Sequence, residues 1–207
     1  MIPVGVLVSG RGSNLSALLD AARAPECPYF IACVISDQPA ALALETAKKA
    51  GIPAFFHEKL PQMKKREYER ELVTRLREFG VQVVALAGFM RILGETFLAE
   101  YPNRVLNIHP SLLPAFPGLH AQDQAFRAQA RYAGCTVHLV DAGMDTGPIL
   151  DQACLRVDRS WNAQQLAQHI LELEHRLYPA ALARFCRNEF RLEDGRVHEF
   201  SIPAWLE

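Results

Sequence analysis

The fold is decided by residues 4–22, which read VGVLVSGRGSNLSALLDAA. Residues 4–8 form an apolar run that is typical of a buried strand, and residues 14–22 have the spacing of a helix. The glycine-rich turn between them, Ser9 to Asn14, lets the backbone turn tightly and approach a ligand closely. A strand that leads through such a turn into a helix predicts a right-handed crossover in a parallel sheet.

The same alternation continues along the chain. Apolar runs predict further strands at residues 30–36, 53–56, 81–87 and 104–109. Amphipathic stretches predict helices at 40–50 and 65–79, and a proline-rich loop follows at 110–118. Beyond the loop we predict a helix at 121–131, a strand pair at 135–140 and 149–157, and a long helix at 163–185. The pattern indicates one α/β domain, 1–207, with a mostly parallel, twisted sheet, helices on both faces and a long C-terminal helix.

Composition narrows the class of protein. The 207 residues are 50% hydrophobic and 22% charged, and the formal net charge of -1 comes from charges that are mixed along the chain. A balanced charge does not favour a nucleic-acid partner, and the longest apolar run, residues 83–90, is far shorter than the roughly 20 residues that span a bilayer. Five cysteines without a C-x-x-C pair indicate a reducing, cytoplasmic compartment. The composition leaves monomer and dimer open.

The turn Ser9 to Asn14 is the first candidate ligand site. Free N–H groups and the partial positive charge at a helix start favour an anion, so Gly12, Ser13 and Asn14 suit a phosphate. The turn lacks the third glycine of a dinucleotide fingerprint and the G-K-[ST] of a nucleoside triphosphate loop, which favours a phosphomonoester. The alternative is a plain tight turn in which Ser13 or Asn14 caps the helix.

Asn107 and His109, at the end of a predicted strand, form the second candidate. A spacing of two places both on the same side of the strand, where an amide donor and an imidazole can face one reacting atom. Asp145 lies in a turn-rich stretch, and a carboxylate beside His109 would favour the protonated imidazolium. The alternative is a structural histidine whose hydrogen bonds are satisfied within the fold.

Residues 88–93 (GFMRIL) follow a predicted buried strand and form the third candidate. Ligands of open parallel sheets bind beyond the carboxyl ends of the strands, so all three candidates should share one crevice. The apolar side chains of this segment either form a slot for a flat ring or belong to the core. His169, Glu172 and His175 have helical spacing, but we interpret them as a solvated helix face and expect no metal.

Taken together, these segments resemble a known enzyme family. The resemblance is carried by residues 6–15 (VLVSGRGSNL), 87–93 (AGFMRIL), 106–114 (LNIHPSLLP) and 116–120 (FPGLH), and by Asp145 with the Gly147-Pro148 that follows. In order and spacing they are similar to the phosphoribosylglycinamide formyltransferases, folate-dependent enzymes of purine synthesis. The resemblance implies a Rossmann-like formyltransferase fold. It also implies transfer of a formyl group from 10-formyltetrahydrofolate, a co-substrate, to the amine of glycinamide ribonucleotide.

The resemblance also implies roles for individual residues. Asn107, His109 and Asp145 match the catalytic trio of the family. The substrate phosphate and ribose are expected at Gly12, Ser13, Asn14 and Glu174. Folate contacts are expected at Lys65, Met90, Arg91, Ile92, Leu93, Asn107 and Asp141.

Two positions depart from the family pattern. Lys65 aligns with an arginine that the family uses near the folate, and the neighbouring Arg66 could substitute by a shift of one residue. A lysine lacks the planar fork of a guanidinium, so the contact would differ. Residues 141–143 read Asp-Ala-Gly where acidic side chains are common in the family. If backbone groups hold the pterin there, this difference has little effect.

Three alternative functions remain to be separated. A tRNA formyltransferase is expected to add a basic domain after the catalytic one, and a formyltetrahydrofolate hydrolase a regulatory domain before it. We expect neither in a chain of 207 residues. The third alternative, from a different class, is a non-catalytic module that binds phosphate and folate, and the presence of Asn107, His109 and Asp145 argues against it.

Overall fold

The computed structural model describes residues 1–199, so the last eight residues of the predicted domain, 200–207, lie outside the described residues. Seven strands form the main sheet: β1 (Ile2–Val8), β2 (Tyr29–Ser36), β3 (Ala54–Phe56), β4 (Val83–Leu86), β5 (Val105–His109), β6 (Tyr132–Leu139) and β7 (Ile149–Arg156). Their order is β3-β2-β1-β4-β5-β6-β7. The first five strands of this order are parallel, whereas β6 and β7 pair antiparallel. The prediction of a mostly parallel α/β sheet is confirmed.

The helices lie between the strands along the chain, as a parallel sheet requires. They are α1 (Ser13–Ala21), α2 (Leu42–Lys49), α3 (Lys65–Glu78), α4 (Glu95–Leu98), α5 (Ala121–Arg127) and α6 (Ala163–Cys186). Successive residues of β1 enter two separate apolar clusters, because Val6 and Val8 belong to one and Leu7 to the other. Side chains of a strand alternate between the two faces of the sheet, so both faces of β1 are covered.

Three differences from the sequence-based expectation have local causes. Helix α5 ends at Arg127, whereas the predicted helix ran to residue 131. The helix stops early because Gln129, with a φ of 53°, has left the right-handed helical region. The four-residue helix α4 is too short for periodicity to reveal it. A hairpin of β8 (Phe190–Glu193) and β9 (Arg196–Glu199) was not predicted, although Asp194-Gly195 is a strong signal for its two-residue turn.

Helix α6 packs across the sheet and begins at a capping box. The Asn162 side chain accepts from the backbone N–H of Gln165, and the Gln165 side chain accepts from the backbone N–H of Asn162. Further along the helix the buried Tyr178 hydroxyl donates to the carbonyls of Leu86 in β4 and Leu106 in β5, at 3.0 and 3.1 Å. These hydrogen bonds connect α6 to β4 and β5, two neighbouring strands in the middle of the sheet.

No helix in residues 1–199 is long and apolar enough to cross a membrane. All five cysteines are free, and three of them, Cys27, Cys33 and Cys135, are buried.

We expect Tyr178→Phe to lower the free energy of unfolding by about 1–2 kcal/mol, because two buried carbonyls lose a donor while the ring still fills its place. Urea unfolding of the variant and the wild type measures the difference. Tyr132→Phe, at a tyrosine that is 61% exposed, is the matched control and should be neutral. Equal stability of Tyr178→Phe and the wild type would contradict a stabilising role for the hydrogen bonds of this hydroxyl.

Candidate active site

A cavity of about 470 Å³ opens at the carboxyl ends of β4 and β5. Ten of the residues predicted to bind or catalyse line it: Asn14, Met90, Arg91, Ile92, Leu93, Asn107, His109, Asp141, Asp145 and Glu174. Gly12, Ser13 and Lys65 are not part of the lining. A smaller cavity of about 220 Å³ at the opposite end of the sheet is lined by no histidine or carboxylate. The histidines and carboxylates that line a cavity among residues 1–199 therefore lie in the larger one.

The end of β5 brings Asn107 and His109 to the same side of the strand, as their spacing predicts. The His109 ring is buried, and its Nδ1 lies 3.3 Å from Oδ2 of Asp145. Its Nε2 lies 2.9 Å from the carbonyl oxygen of Phe116. Two acceptor oxygens thus face the two ring nitrogens, an arrangement that the doubly protonated imidazolium satisfies completely.

Asp145 is held as an ionised carboxylate. It has a φ of 56°, and the backbone N–H of Gly118 donates to its Oδ2 at 2.8 Å. Its Oδ1 lies 3.6 Å from Nε2 of His138. These contacts lower the pKa of Asp145 to about 2, with His138 contributing most, then Gly118 and His109, while burial opposes them.

His138 was missed by the sequence analysis. Antiparallel pairing of β5 with β6 places it directly opposite Asn107. Its Nε2 lies 3.2 Å from the Asn107 amide nitrogen, and its Nδ1 lies 2.9 Å from the carbonyl oxygen of Leu139. The ring therefore links Asn107 to Asp145. Its sequence signal is weak: a polar residue two positions after Thr136 in an otherwise apolar strand.

The proline-rich loop after β5 is fixed by side chains of β6 and β7. Thr136 donates to the carbonyl of Ser111 at 2.7 Å and accepts from the N–H of Leu113 at 3.1 Å. Gln152 donates to the carbonyl of Leu113 at 2.9 Å. These hydrogen bonds anchor the loop to the two strands. The same loop contains Phe116 and Gly118. The Phe116 carbonyl oxygen faces His109, and the Gly118 N–H donates to Asp145.

The glycine-rich turn is shaped by contact with α2. Gly12 is the N-cap of α1 with a φ of 80°, and a Cβ there would lie only 2.6 Å from the Cβ of Ala43. The alternative, in which Ser13 or Asn14 caps the helix, is not what the structure shows, because the capping position is Gly12 and no side chain among residues 1–199 caps α1.

Asn14 instead reaches across to α6. Its amide nitrogen donates to Oε2 of Glu174 at 2.7 Å, and both side chains are buried. Burial raises the pKa of Glu174, and the hydrogen bond from Asn14 opposes that shift. The Oδ1 of Asn14 is buried and has no partner within residues 1–199. A ligand group that donates a hydrogen bond would satisfy it.

The segment after β4 serves both the core and the cavity. Leu93 is 3% exposed and packs in the core, whereas Met90 and Ile92 are 68% and 57% exposed at the cavity. The Nε of Arg91 lies 2.7 Å from Oδ2 of Asp37. Lys65 lies at the far end of this segment, with its Nζ 3.8 Å from Oε1 of Glu69.

The remaining candidates have simple local roles. Asp141, in the lining, accepts from the N–H of Gly143 at 3.0 Å and from the hydroxyl of Thr146 at 2.8 Å. His169 stacks on Trp161 and lies 3.3 Å from Glu172. Together with His175, these helix residues stand outside the lining of the cavity.

Comparison with known proteins identifies the family of the chain. The family model described as formyl transferase matches residues 3–182. A protein of Bacillus subtilis (strain 168) named phosphoribosylglycinamide formyltransferase is 41% identical over 86% of this chain and 91% of its own length. The trifunctional purine biosynthetic protein adenosine-3 of Drosophila pseudoobscura pseudoobscura is 45% identical over 97% of this chain, which spans 15% of that protein.

A solved structure has the same fold. The glycinamide ribonucleotide transformylase 1 of Symbiobacterium toebii is 44% identical and has a TM-score of 0.94, over 97% of this chain and 95% of that one. The Rossmann-like fold implied by the sequence resemblance is confirmed. With the family match over most of its length, the chain belongs to the formyl transferase family.

Proposed function

We propose that this protein transfers a formyl group from 10-formyltetrahydrofolate to the amine of N1-(5-phospho-D-ribosyl)glycinamide, in de novo purine biosynthesis. The observation that carries the proposal is the contact of Asp145 with His109 beside Asn107, in a cavity at the carboxyl ends of the strands. Relatives named phosphoribosylglycinamide formyltransferase cover nearly the whole chain and support the assignment.

The reaction needs a donor for a transient anion. The neutral amine attacks the formyl carbon, and the carbonyl oxygen takes up the negative charge of a tetrahedral intermediate. The Asn107 amide and the Nε2–H of an imidazolium at His109 are the donors in our proposal. That N–H points to the Phe116 carbonyl in the ligand-free site, and an oxyanion is a stronger acceptor than a carbonyl. One such donor is worth about 3 kcal/mol in other acyl-transfer sites.

Collapse of the intermediate breaks the bond between the formyl carbon and the folate nitrogen. The attacking amine loses a proton and the leaving nitrogen gains one, so the exchange balances without a metal or a covalent enzyme intermediate. His109 carries this exchange, directly or through a water molecule. Proton transfer of this kind contributes roughly 10²- to 10⁴-fold in rate. Asp145 supplies a fixed negative charge next to the ring.

The two substrates are assigned to different groups of residues in the cavity and beside it. Gly12, Ser13 and Asn14 at the start of α1 would bind the substrate phosphate, and Glu174 would accept from ribose hydroxyls. The partnerless Oδ1 of Asn14 and the buried Glu174 carboxyl support a polar ligand there. Residues 90–93, with Asp141 and Lys65, would bind the folate. The exposed side chains of Met90 and Ile92 support a flat apolar ligand.

A mixing experiment tests the proposal. Purified protein is incubated with 10-formyltetrahydrofolate, with and without glycinamide ribonucleotide, and release of tetrahydrofolate is followed. We expect release only when the ribonucleotide is present. Release in both mixtures would indicate a hydrolase, and release in neither would indicate a binding module or another acceptor. A third mixture, with methionyl-tRNA in place of the ribonucleotide, tests the tRNA alternative, and we expect no release of tetrahydrofolate in it.

Asp145→Asn should lower kcat by about 100-fold or more and change either KM by only a few fold, because the charge acts on the intermediate. Since its pKa is lowered to about 2, Asp145 stays ionised throughout an ordinary assay range. Titration of Asp145 itself should therefore produce no step in the ratio of wild-type to variant kcat above about pH 4. Steady-state kinetics at several pH values measures it. Asp20→Asn, at an exposed carboxylate paired with Arg23, is the control. Wild-type turnover by Asp145→Asn would contradict the assigned role.

Glu174→Gln should raise the KM for the ribonucleotide about tenfold, because a neutral amide oxygen is a weaker acceptor than a carboxylate. Steady-state kinetics with varied ribonucleotide measures the change.

The raised pKa of Glu174 also has a consequence for the stability of Glu174→Gln. A carboxyl whose folded pKa is raised stabilises the fold below its unfolded pKa and loses that contribution as the pH rises through the folded pKa. The variant should therefore gain stability relative to the wild type as the pH rises from acidic to neutral. Urea unfolding at both pH values checks the direction, and a stability difference independent of pH would contradict it.

A further inference from the structure

Residues 88–94 form an irregular segment whose position is not set by the sheet. It begins at Gly88, with a φ of 75°, and leads from β4 into α4. Within residues 1–199 the N–H groups of Arg91, Ile92 and Leu93 donate to no other protein group. A segment with so few backbone hydrogen bonds needs other anchors to hold one conformation.

Asp37 provides the first anchor. It follows β2 directly, and Ser9 follows β1 directly, so the parallel pairing of Val8 with Ser36 brings the two side chains together. The Ser9 hydroxyl donates to Oδ1 of Asp37 at 2.6 Å and accepts from the N–H of Met90 at 2.9 Å. Oδ2 of Asp37 faces the Arg91 guanidinium. One buried carboxylate therefore holds both the backbone and a side chain of the segment.

Glu69 provides the second anchor from α3. It is buried, and its Oε1 accepts from the N–H of Gly94 at 2.6 Å. The ring of its neighbour Tyr68 lies under the Arg91 guanidinium, with 5.4 Å between the ring centroid and the guanidinium carbon. The two ends of the segment are thus attached to different elements of the fold.

Neither carboxylate is part of the cavity lining. A buried charge stays stable only when it is paired and hydrogen-bonded, and each of these carboxylates has one partner in the 88–94 segment: Arg91 for Asp37 and the N–H of Gly94 for Glu69. The segment and its anchors therefore fix one another. A change at an anchor should move the segment without touching the bound ligand or His109.

We propose that Asp37 and Glu69 are positioning residues that set the affinity for the folate through the 88–94 segment. The inference rests on the proposed function, which assigns this segment to folate. It predicts an effect on one substrate only, because Gly12, Ser13 and Asn14, which are assigned to the phosphate, and the catalytic trio use other contacts.

The test uses Asp37→Asn and Ser9→Ala, singly and combined. Asp37→Asn keeps an oxygen for Ser9 but removes the charge that faces Arg91. We expect it to raise the KM for 10-formyltetrahydrofolate about tenfold, with kcat and the KM for the ribonucleotide within about twofold of wild type. Ser9→Ala should act in the same direction. The double variant should show less than the product of the two effects, because both changes disable one anchor.

Glu69 is tested by a pair of substitutions. Glu69→Gln retains an oxygen for the N–H of Gly94 and should stay close to the wild-type KM, whereas Glu69→Ala should raise it. Asp151→Asn is the matched control for the loss of a buried carboxylate, because Asp151 contacts Arg184 in a part of the fold away from the segment. It should leave the KM for the folate unchanged even if it lowers the melting temperature.

The kinetic results distinguish the inference about Asp37 and Glu69 from the proposed formyl transfer. Active Asp37→Asn with a wild-type KM for the folate would overturn the inference and leave the proposed function standing. A rise in KM for the folate in Asp151→Asn as large as in Asp37→Asn would overturn it as well, because the effect would then reflect general loosening. Absence of formyl transfer by the wild type would overturn the proposed function itself, and the inference with it.

Discussion

The site depends on one ionised carboxylate that is held by donors from three parts of the chain. Asp145 receives the N–H of Gly118 and lies between the rings of His109 and His138. Because these groups keep its pKa at about 2, the proton between Asp145 and His109 belongs to the imidazole. Asp145 is then a fixed charge rather than a proton carrier, and any proton that moves near the reacting atoms must come from His109, the substrates or water.

His138 and the loop that contains Gly118 are both positioned at β5 and β6, where the sheet changes from parallel to antiparallel pairing. β5 is the last strand of the parallel series, and β6 runs back beside it, so His138 arrives opposite Asn107. The loop that leaves β5 is anchored to the same β6 by Thr136. The parallel half of the sheet ends in the glycine-rich turn and the 88–94 segment, where ligands of such sheets bind. The structure thus places the polar trio and the segments that we propose to bind the substrates around one cavity.

Much of this arrangement could be predicted from short-range pattern. The strand, turn and helix of residues 4–22 are visible in the order of apolar residues, and a spacing of two placed Asn107 and His109 on one side of β5. His138 could not be found in this way, since its position depends on the register between strands that are about thirty residues apart in sequence. Asp37 and Glu69 were missed for a related reason. A polar residue after a strand or on a charged helix has the pattern of a surface residue, and only tertiary packing buries these two.

Two carboxyls in the same cavity have pKa values shifted in opposite directions, because burial dominates at Glu174 and hydrogen-bond donors dominate at Asp145. Asp145 is surrounded by donors, and its pKa falls in spite of burial. Glu174 is more deeply buried, receives the single side-chain donor Asn14, and its pKa rises. A carboxyl with unused acceptor capacity in a low-dielectric site gains from each further donor that a ligand brings. In the proposed function, Asp145 is therefore ionised before any substrate binds, whereas a hydroxyl-bearing ligand would stabilise the charge of Glu174, so that binding and ionisation at Glu174 would favour each other.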